Sequence, residues 1–243
     1  MHKSKLRPTG FDMVNDLIYS LYDSCSKDFI LYLLDNTSDE KYDVLNYPNI
    51  DYTYIKDQNK NGVIGADYMG IGKAIKDNCD IIVVVNDDVV FNNTINNFLD
   101  IIEAHEYRDI SLYGALSNGV PDKLPQKSYK KERGIIEITK LRAPYGILSG
   151  FLYAFTSEFH KKFTLPDGTF YKAPTKKWSG VGVGIHSRIK SLGGRIFIIK
   201  DCWLFHHKIR GWKQLADKEK ANKRNESKNK TKNPVRRKRA SRK

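Results

Sequence analysis

The segment DIIVVVNDDVVF, residues 80–91, restricts the fold more than any other. Its valines and isoleucines favour an extended strand with at least one buried face. Asn86, Asp87 and Asp88 then set two adjacent carboxylates at the end of that strand. A carboxylate left there without a partner costs on the order of several kcal/mol, so a metal ion, a basic partner or bulk water must compensate it. In an open α/β sheet that place is the crevice outside the carboxyl ends of the strands, where loops converge.

The surrounding segments supply such a sheet. Apolar residues at 11, 14, 17, 18 and 21 have the spacing of an amphipathic helix, and FILYLL at 29–34 predicts a strand that breaks into a polar turn at Asp35. NIDYTYIK alternates as a second strand, and Asn61 with Gly62 marks a turn. Residues 63–77 place Ile64, Tyr68, Ile71 and Ile75 on one helical face, against the helix-weakening Gly65, Gly70 and Gly72. Helix, strand, strand, helix, strand is the order of an α/β layered fold, a mostly parallel central sheet flanked by helices. Beyond residue 91 come a capped helix in NNTINNFLDIIEAHEY and a strand in ISLYGALS, then a lysine-rich stretch, 117–134, expected to be a mobile loop. GIIEIT predicts a strand, YGILSGFLYAFTSEFHKKF a strand or loop leading into a helix, IHSRIKSLGG a helix closing on glycines, and RIFIIKDCWLFHH a final strand. Residues 164–184, with Pro166 and Pro174, carry no assignable period.

Charge divides the chain in two. The net charge is +14, but residues 213–243 hold 14 Lys and Arg against 3 Asp and Glu, which leaves only +3 for residues 1–212. The expected organisation is one domain over 1–212 and a basic, flexible tail over 213–243, either a solubilising or localising terminus or a polyanion-binding arm. No stretch reaches the ~18 apolar residues of a bilayer span, and MHKSKLRPTG has no apolar segment behind its basic residues, so a transmembrane segment is not expected and a cytoplasmic location is. Cys25, Cys79 and Cys202 lie far apart and form no CxxC pair, which argues against a zinc knuckle or a disulfide framework.

Two predicted strands end in acids, Asp35 after FILYLL and Asp87 with Asp88 after IIVVV. Paired with substrate phosphates, such carboxylates suit a hard divalent cation, Mg²⁺ or Mn²⁺, and thereby a nucleotide diphosphate. His206 and His207 would add an imidazole ligand, or form a surface pair at a strand end.

At this point the motifs resemble family 2 glycosyltransferases with the GT-A fold. LLDNTSDE looks like their "VDNgStD" element, NGVIGADYMGIGKAI follows the "Gfagar-N-x-G-i-x-x-A" stretch, and VVVNDDVVF is similar to the "fLNnDv" form of the DxD motif. LSGFLYAFTSEFHKKF resembles "tGa" with its following helix, and the segment from Trp178 to His207 resembles the one ending in "Rl…G" and a strand with a terminal histidine. The similarity covers about residues 6–212. It implies a nucleotide-sugar donor, a UDP-sugar foremost. Asp35 would contact the nucleobase with Asn36 beside it, Asn86 or Asp87 would lie near ribose and diphosphate, and Asp88 would bind the metal with His206 or His207. Ser149 and Gly150 would line the cleft between donor and acceptor.

Three departures stand out. MHKSKLRPT replaces the family's apolar first strand, Tyr68 stands where Asn is common, and Val181 and Gly182 occupy the positions of the acidic pair that supplies the general base of inverting enzymes. A base must be titratable and within reach of the acceptor. Either a carboxylate from elsewhere, Asp167 foremost, with Glu158 and Asp201 behind it, serves catalysis, or the reaction is retaining, or the domain binds without turnover. The basic tail and the lysine-rich loop point to a DNA acceptor, a hydroxymethylated base of the kind some bacteriophages glycosylate, with Trp178 as a stacking residue or a core aromatic. A surface or capsid glycan or protein is the rival acceptor, and a noncatalytic DNA-binding protein with a decayed transferase core is the rival class. A viral member would work in the cytoplasm of its host.

Overall fold

The computed structural model describes residues 9–36, 38–55, 62–130, 132–142, 146–170 and 181–207, with backbone alone for 62–64 and 181–184. The expectations for residues 1–8, Asn61, Trp178 and the tail 213–243 lie outside the described residues.

The elements run α1 (Gly10–Ser24), β1 (Leu31–Asn36), β2 (Ile50–Ile55), α2 (Gly62–Lys76), β3 (Ile81–Val85), β4 (Val89–Val90) and α3 (Thr94–Ala104). They continue with β5 (Ser111–Ser117), β6 (Ile135–Glu137), β7 (Leu152–Thr156), α4 (Ser157–Phe163), α5 (Val181–Ser191) and β8 (Arg195–His206). The strand read from 80 to 91 is two strands, because the acid turn at 86–88 interrupts the pairing.

β1 and β2 pair in parallel as one small sheet. The larger sheet has the order β3-β7-β5-β8-β4, with β6 also on β8. It is mixed rather than mostly parallel. β5 and β8 are parallel, whereas β7 runs antiparallel to both β3 and β5, and β4 and β6 run antiparallel to β8. A strand's apolar content does not encode its direction, which is why the sequence pattern missed this.

Both faces of the sheet are buried, and alternation along each strand assigns residues to them. Leu152 and Ala154 of β7, Tyr113 and Ala115 of β5, and Phe197 and Ile199 of β8 pack with α1 and α3 through Val14, Leu17, Ile18, Ile95, Phe98 and Ile102. The intervening Tyr153, Phe155, Leu112, Leu116, Ile196 and Ile198 pack with α2, α4 and α5 through Ile71, Phe159, Phe163, Ile185 and Ile189. Burying each such side chain contributes roughly 1.5–3 kcal/mol, so these two layers hold the strand ends in place.

β8 changes face partway. Its register on β5 jumps from Ala115↔Ile199 to Leu116↔Trp203, which loops out residues 200–202. An odd insertion reverses the alternation. Before it, even-numbered Ile196 and Ile198 face α4 and α5; beyond it, even-numbered Leu204 faces α1 and α3. Asp201 fastens the bulge by accepting from Gly134 N at 2.6 Å.

The stretch expected to be a mobile loop, 117–134, is pinned where it is described. Gln126 is fully buried, Ser117 N donates to Gln126 O at 2.9 Å, and Ser128 N donates to Ser117 O at 3.1 Å. The glycines that weakened the α2 prediction have a partial explanation: a Cβ on Gly70 would come 3.0 Å from Leu34 Cδ1, so a small residue lets α2 approach β1. Lys73 ties α2 to β2, at 2.7 and 2.8 Å from the Asp51 oxygens and 2.8 Å from Thr53 Oγ1.

Desolvation pushes the Asp67 carboxyl on α2 from 3.8 up to about 7. A carboxyl raised in the folded state binds more protons folded than unfolded, so its contribution weakens stability as pH rises between the two values. In urea titrations the stability of wild type relative to Asp67→Asn should therefore fall by about 1 kcal/mol per pH unit from about pH 4 to about pH 7. A difference that stays constant over that window would show that the carboxyl is not desolvated.

Candidate functional site

The end of β3 is where the acids come to rest. Asn86 N donates to Phe151 O at 2.8 Å, closing the β3–β7 ladder just as the chain turns. After the turn, Val89 pairs with His206 and Val90 with Phe205, which brings the end of β8 against the acid turn. His207 N donates to Asp88 O at 2.9 Å, and the His206 Nε2 ring nitrogen meets Asp88 Oδ1 at 2.9 Å. Each of these two side chains keeps only 12% of its surface exposed. Beneath them the Phe151 ring stacks on His206 with centroids 5.5 Å apart. The basic partner required by a buried Asp88 is therefore His206, and Asn86 and Asp87 sit half-buried on the turn before it.

The two histidines part company. His206 is clamped along its backbone by Asn118, whose Oδ1 accepts from His206 N at 2.9 Å. Its ring is walled by Gly119, where a Cβ would stand 2.3 Å from His206 Nδ1. That Nδ1 is buried and has no hydrogen-bond partner among the described residues. His207 turns instead to α1, with Nε2 3.3 Å from Asp16 Oδ2. β8 ends at His206, so His207 is no longer bound by the alternation of the strand.

Among the described residues no cluster of three or more His, Cys, Asp or Glu is disposed to hold a metal ion. Asp88 and His206 nevertheless fit a hard divalent ion as a pair. Two neighbouring ligands on an octahedral ion at ~2.1 Å stand about 3 Å apart, and Mg²⁺ commonly takes one or two protein ligands with substrate phosphates supplying others. Asp88 Oδ1 and His206 Nε2 have that separation. With Nε2 as ligand the ring proton would sit on Nδ1, where the usual outer hydrogen bond is missing among the described residues.

Ser149 and Gly150 join this site through the segment that leads into β7. Leu148 N donates to His186 Nε2 at 2.9 Å, Ser149 N donates to Gln126 Oε1 at 2.5 Å, and Phe151 O holds Asn86. Gly150 is exposed and Ser149 half-exposed, so the strip presents itself beside the acid turn.

Asp35 lies fully buried at the end of β1, and its neighbours occupy its oxygens. Oδ1 accepts from Ser38 N at 3.1 Å and Ser38 Oγ at 2.5 Å, and Oδ2 accepts from Tyr52 Oη at 3.0 Å. Burial first, and the Asp35 charge second, push the Tyr52 phenol up to about 12. A nucleobase would have to displace Ser38 or Tyr52 to reach this carboxylate. Asn36 follows it as the last residue of β1. Asp167 accepts from Thr169 N and Oγ1, at 3.0 and 2.6 Å, in the turn beyond α4, which leaves from the far end of β7. Glu158 pairs with Lys161 at 2.5 Å, and the first turn of α5 has no acidic residue.

Asn118, Gly119, Gln126 and His186 went unnoticed in the sequence. Asn118 and Gly119 carry a legible turn signal after β5. A single Gln in a lysine-rich loop and a single His within a helix carry none.

No protein-family model and no curated protein matches the chain. Solved structures do. GalNAc-T7, in a crystal structure with UDP, GalNAc and Mn²⁺, superposes with a TM-score of 0.54 at 15% identity, over 81% of this chain and 41% of that one. TarS of S. aureus, residues 1–349, superposes with a TM-score of 0.54 at 13% identity, over 85% of this chain and 60% of that one. The chain thus spans less than two thirds of either neighbour. Its fold is that of GT-A glycosyltransferases.

The two glycines that flank the site make opposite demands. Gly119 has no room for a Cβ beside His206, whereas no described residue lies within 4 Å of one placed on Gly150. Gly119→Ala should cost about 1–3 kcal/mol in urea denaturation, and Gly150→Ala should stay within about 0.5 kcal/mol of wild type. Equal effects of the two substitutions would mean that Gly119 does not wall the histidine.

Proposed function

We propose that this chain is a metal-dependent glycosyltransferase that moves a sugar from a UDP-sugar to a hydroxyl acceptor. The observation that carries this reading is the Asp88–His206 pair, 2.9 Å apart at the carboxyl end of β3 in a GT-A fold. A nucleoside diphosphate leaving group departs with growing negative charge, and a divalent ion bound by Asp88 and His206 would supply the countercharge there. That the neighbour GalNAc-T7 was crystallised with UDP and Mn²⁺ supports the same donor and ion.

The residues of this chain have distinct tasks in that reaction. Asp88 and His206 hold the ion, Asn86 and Asp87 flank the ribose and diphosphate, and Asp35 shapes the base pocket by ordering Ser38 and Tyr52. Ser149 and Gly150 line the passage between donor and acceptor. Asp167, Glu158 and Asp201 are each engaged in a local contact, with Thr169, Lys161 and Gly134. This favours a retaining course in which the departing phosphate accepts the acceptor's proton, with Asp167 as the alternative base.

The acceptor we propose is a hydroxymethylated base in DNA. Support comes from the charge of residues 213–243 and from the exposed Lys123 and Lys130, which flank Gln126 in the segment after β5. Phosphate contacts from such lysines would position DNA without reading its sequence. No helix among the described residues is long and apolar enough to cross a membrane. The place of work we propose is the cytoplasm, the host's if the protein is viral.

Incubation with Mn²⁺, pooled nucleotide sugars and matched DNA oligonucleotides should add the mass of one hexose or N-acetylhexosamine to hydroxymethylated DNA and nothing to unmodified DNA. Asp88→Ala should lower transfer by about 100-fold or more while leaving DNA affinity unchanged. Full transfer by Asp88→Ala would remove the site. Nucleoside diphosphate release without a DNA mass gain would move the acceptor to a surface or capsid glycan or protein. DNA binding without any release would identify a noncatalytic DNA-binding protein with a decayed transferase core.

A further inference from the structure

The strip from Leu148 to Phe151 is held at both ends by different parts of the molecule. Its trailing end belongs to the sheet, because Phe151 O accepts from Asn86 N at 2.8 Å and the Phe151 ring stacks on His206. Its leading end is held from outside the sheet. The consecutive amides of Leu148 and Ser149 donate to His186 on α5 and to Gln126 on the loop after β5. Neither acceptor is a surface group: Gln126 is fully buried and His186 is 4% exposed. Gln126 Nε2 donates to Ala115 O at 2.9 Å, which ties the same side chain to β5. An amide can only donate, so His186 meets Leu148 through an unprotonated Nε2 and carries its ring proton on Nδ1. The buried amide of Leu148 and the partly buried amide of Ser149 would each lose, with its acceptor, a bond that water replaces only in part.

From this arrangement we infer that Gln126 and His186 are positioning residues, a two-point latch that fixes Ser149 and Gly150 on the acceptor side of the cleft. The inference rests on the transferase reading for its effect on catalysis and on geometry alone for the latch itself. Asp88 and His206 take their positions from β3, β4 and β8 and from Phe151, which is anchored at the sheet end of the strip and not at the latched end. Releasing the latch therefore separates two quantities that a general loss of structure would change together. Donor binding and donor hydrolysis persist, while productive encounter with the acceptor declines, because orientation of the reacting groups is lost.

The test uses Gln126→Leu and His186→Phe, each removing one acceptor while keeping bulk, and His186→Gln, whose Oε1 can reach the position of Nε2. In the full chain, hydrogen exchange at Ser149 in the first variant and at Leu148 in the second should quicken about tenfold or more, and His186→Gln should restore protection at Leu148. Transfer kcat/KM should fall about tenfold in Gln126→Leu and His186→Phe through the acceptor KM, with Mn²⁺-dependent UDP affinity within about twofold of wild type. His186→Gln should recover most of the transfer. Unchanged exchange at both amides overturns the latch, and a parallel loss of UDP affinity and transfer in folded variants overturns its positioning role. A wild-type protein that hydrolyses no nucleotide sugar overturns the transferase reading instead, and the exchange arm still decides the latch.

Discussion

A carboxylate cannot stand at the end of an apolar strand without a partner, and for Asp88 that partner arrives from 118 residues farther along the chain. Much of the fold serves this meeting. β4 is only two residues long, yet pairing it with β8 sets the final strand beside the acid turn. Phe151 lies under the histidine, Gly119 leaves room for its ring, and Asn118 fixes its backbone. Each contact spans elements distant in sequence, so the site exists only when the whole sheet is formed.

Local rules recovered the elements well because they act locally. The apolar period of residues 10–24 and the run at 81–85 give a helix and a strand close to where they were expected, and 94–104 is a helix although its N-cap Asn93 makes no side-chain capping bond. Strand direction was not legible, since β3, β5 and β7 are similar in composition while β7 runs against the other two. The pinned loop was not legible either. Its lysines and prolines advertise a solvated segment, and the single buried Gln126 that anchors it looks like any surface glutamine until β5 and the 148–150 strip are placed around it.

The site divides in the same way. That Asp88 lies at the end of β3 was legible from order along the chain, whereas Ser149 and Gly150 entered only through the resemblance. Which of the two histidines meets Asp88 was not legible, since alternation counted along β8 to His206 is reset by the shift in register at residues 200–202. Asp35 and Asp167 show a further limit. Both are acids in promising loops, but one is enclosed by Ser38 and Tyr52 and the other braces its own turn through Thr169. An Asp followed two or three residues on by Ser or Thr satisfies itself locally, and that pattern weighs against an outward-facing role.

The looped-out residues 200–202 have a consequence for chain length. On β5 the partner of Ala115 is Ile199 and the partner of the very next residue, Leu116, is Trp203, so the three extra residues stand opposite no residue of β5. Removing all three would join Ile199 to Trp203 in a regular ladder and leave His206 on the face where Phe151 lies. What such a deletion would forfeit is the Asp201 carboxylate that accepts from Gly134 N, the tie between the bulge and the segment leading into β6. The insertion thus serves the edge of the sheet rather than the facing of the histidine.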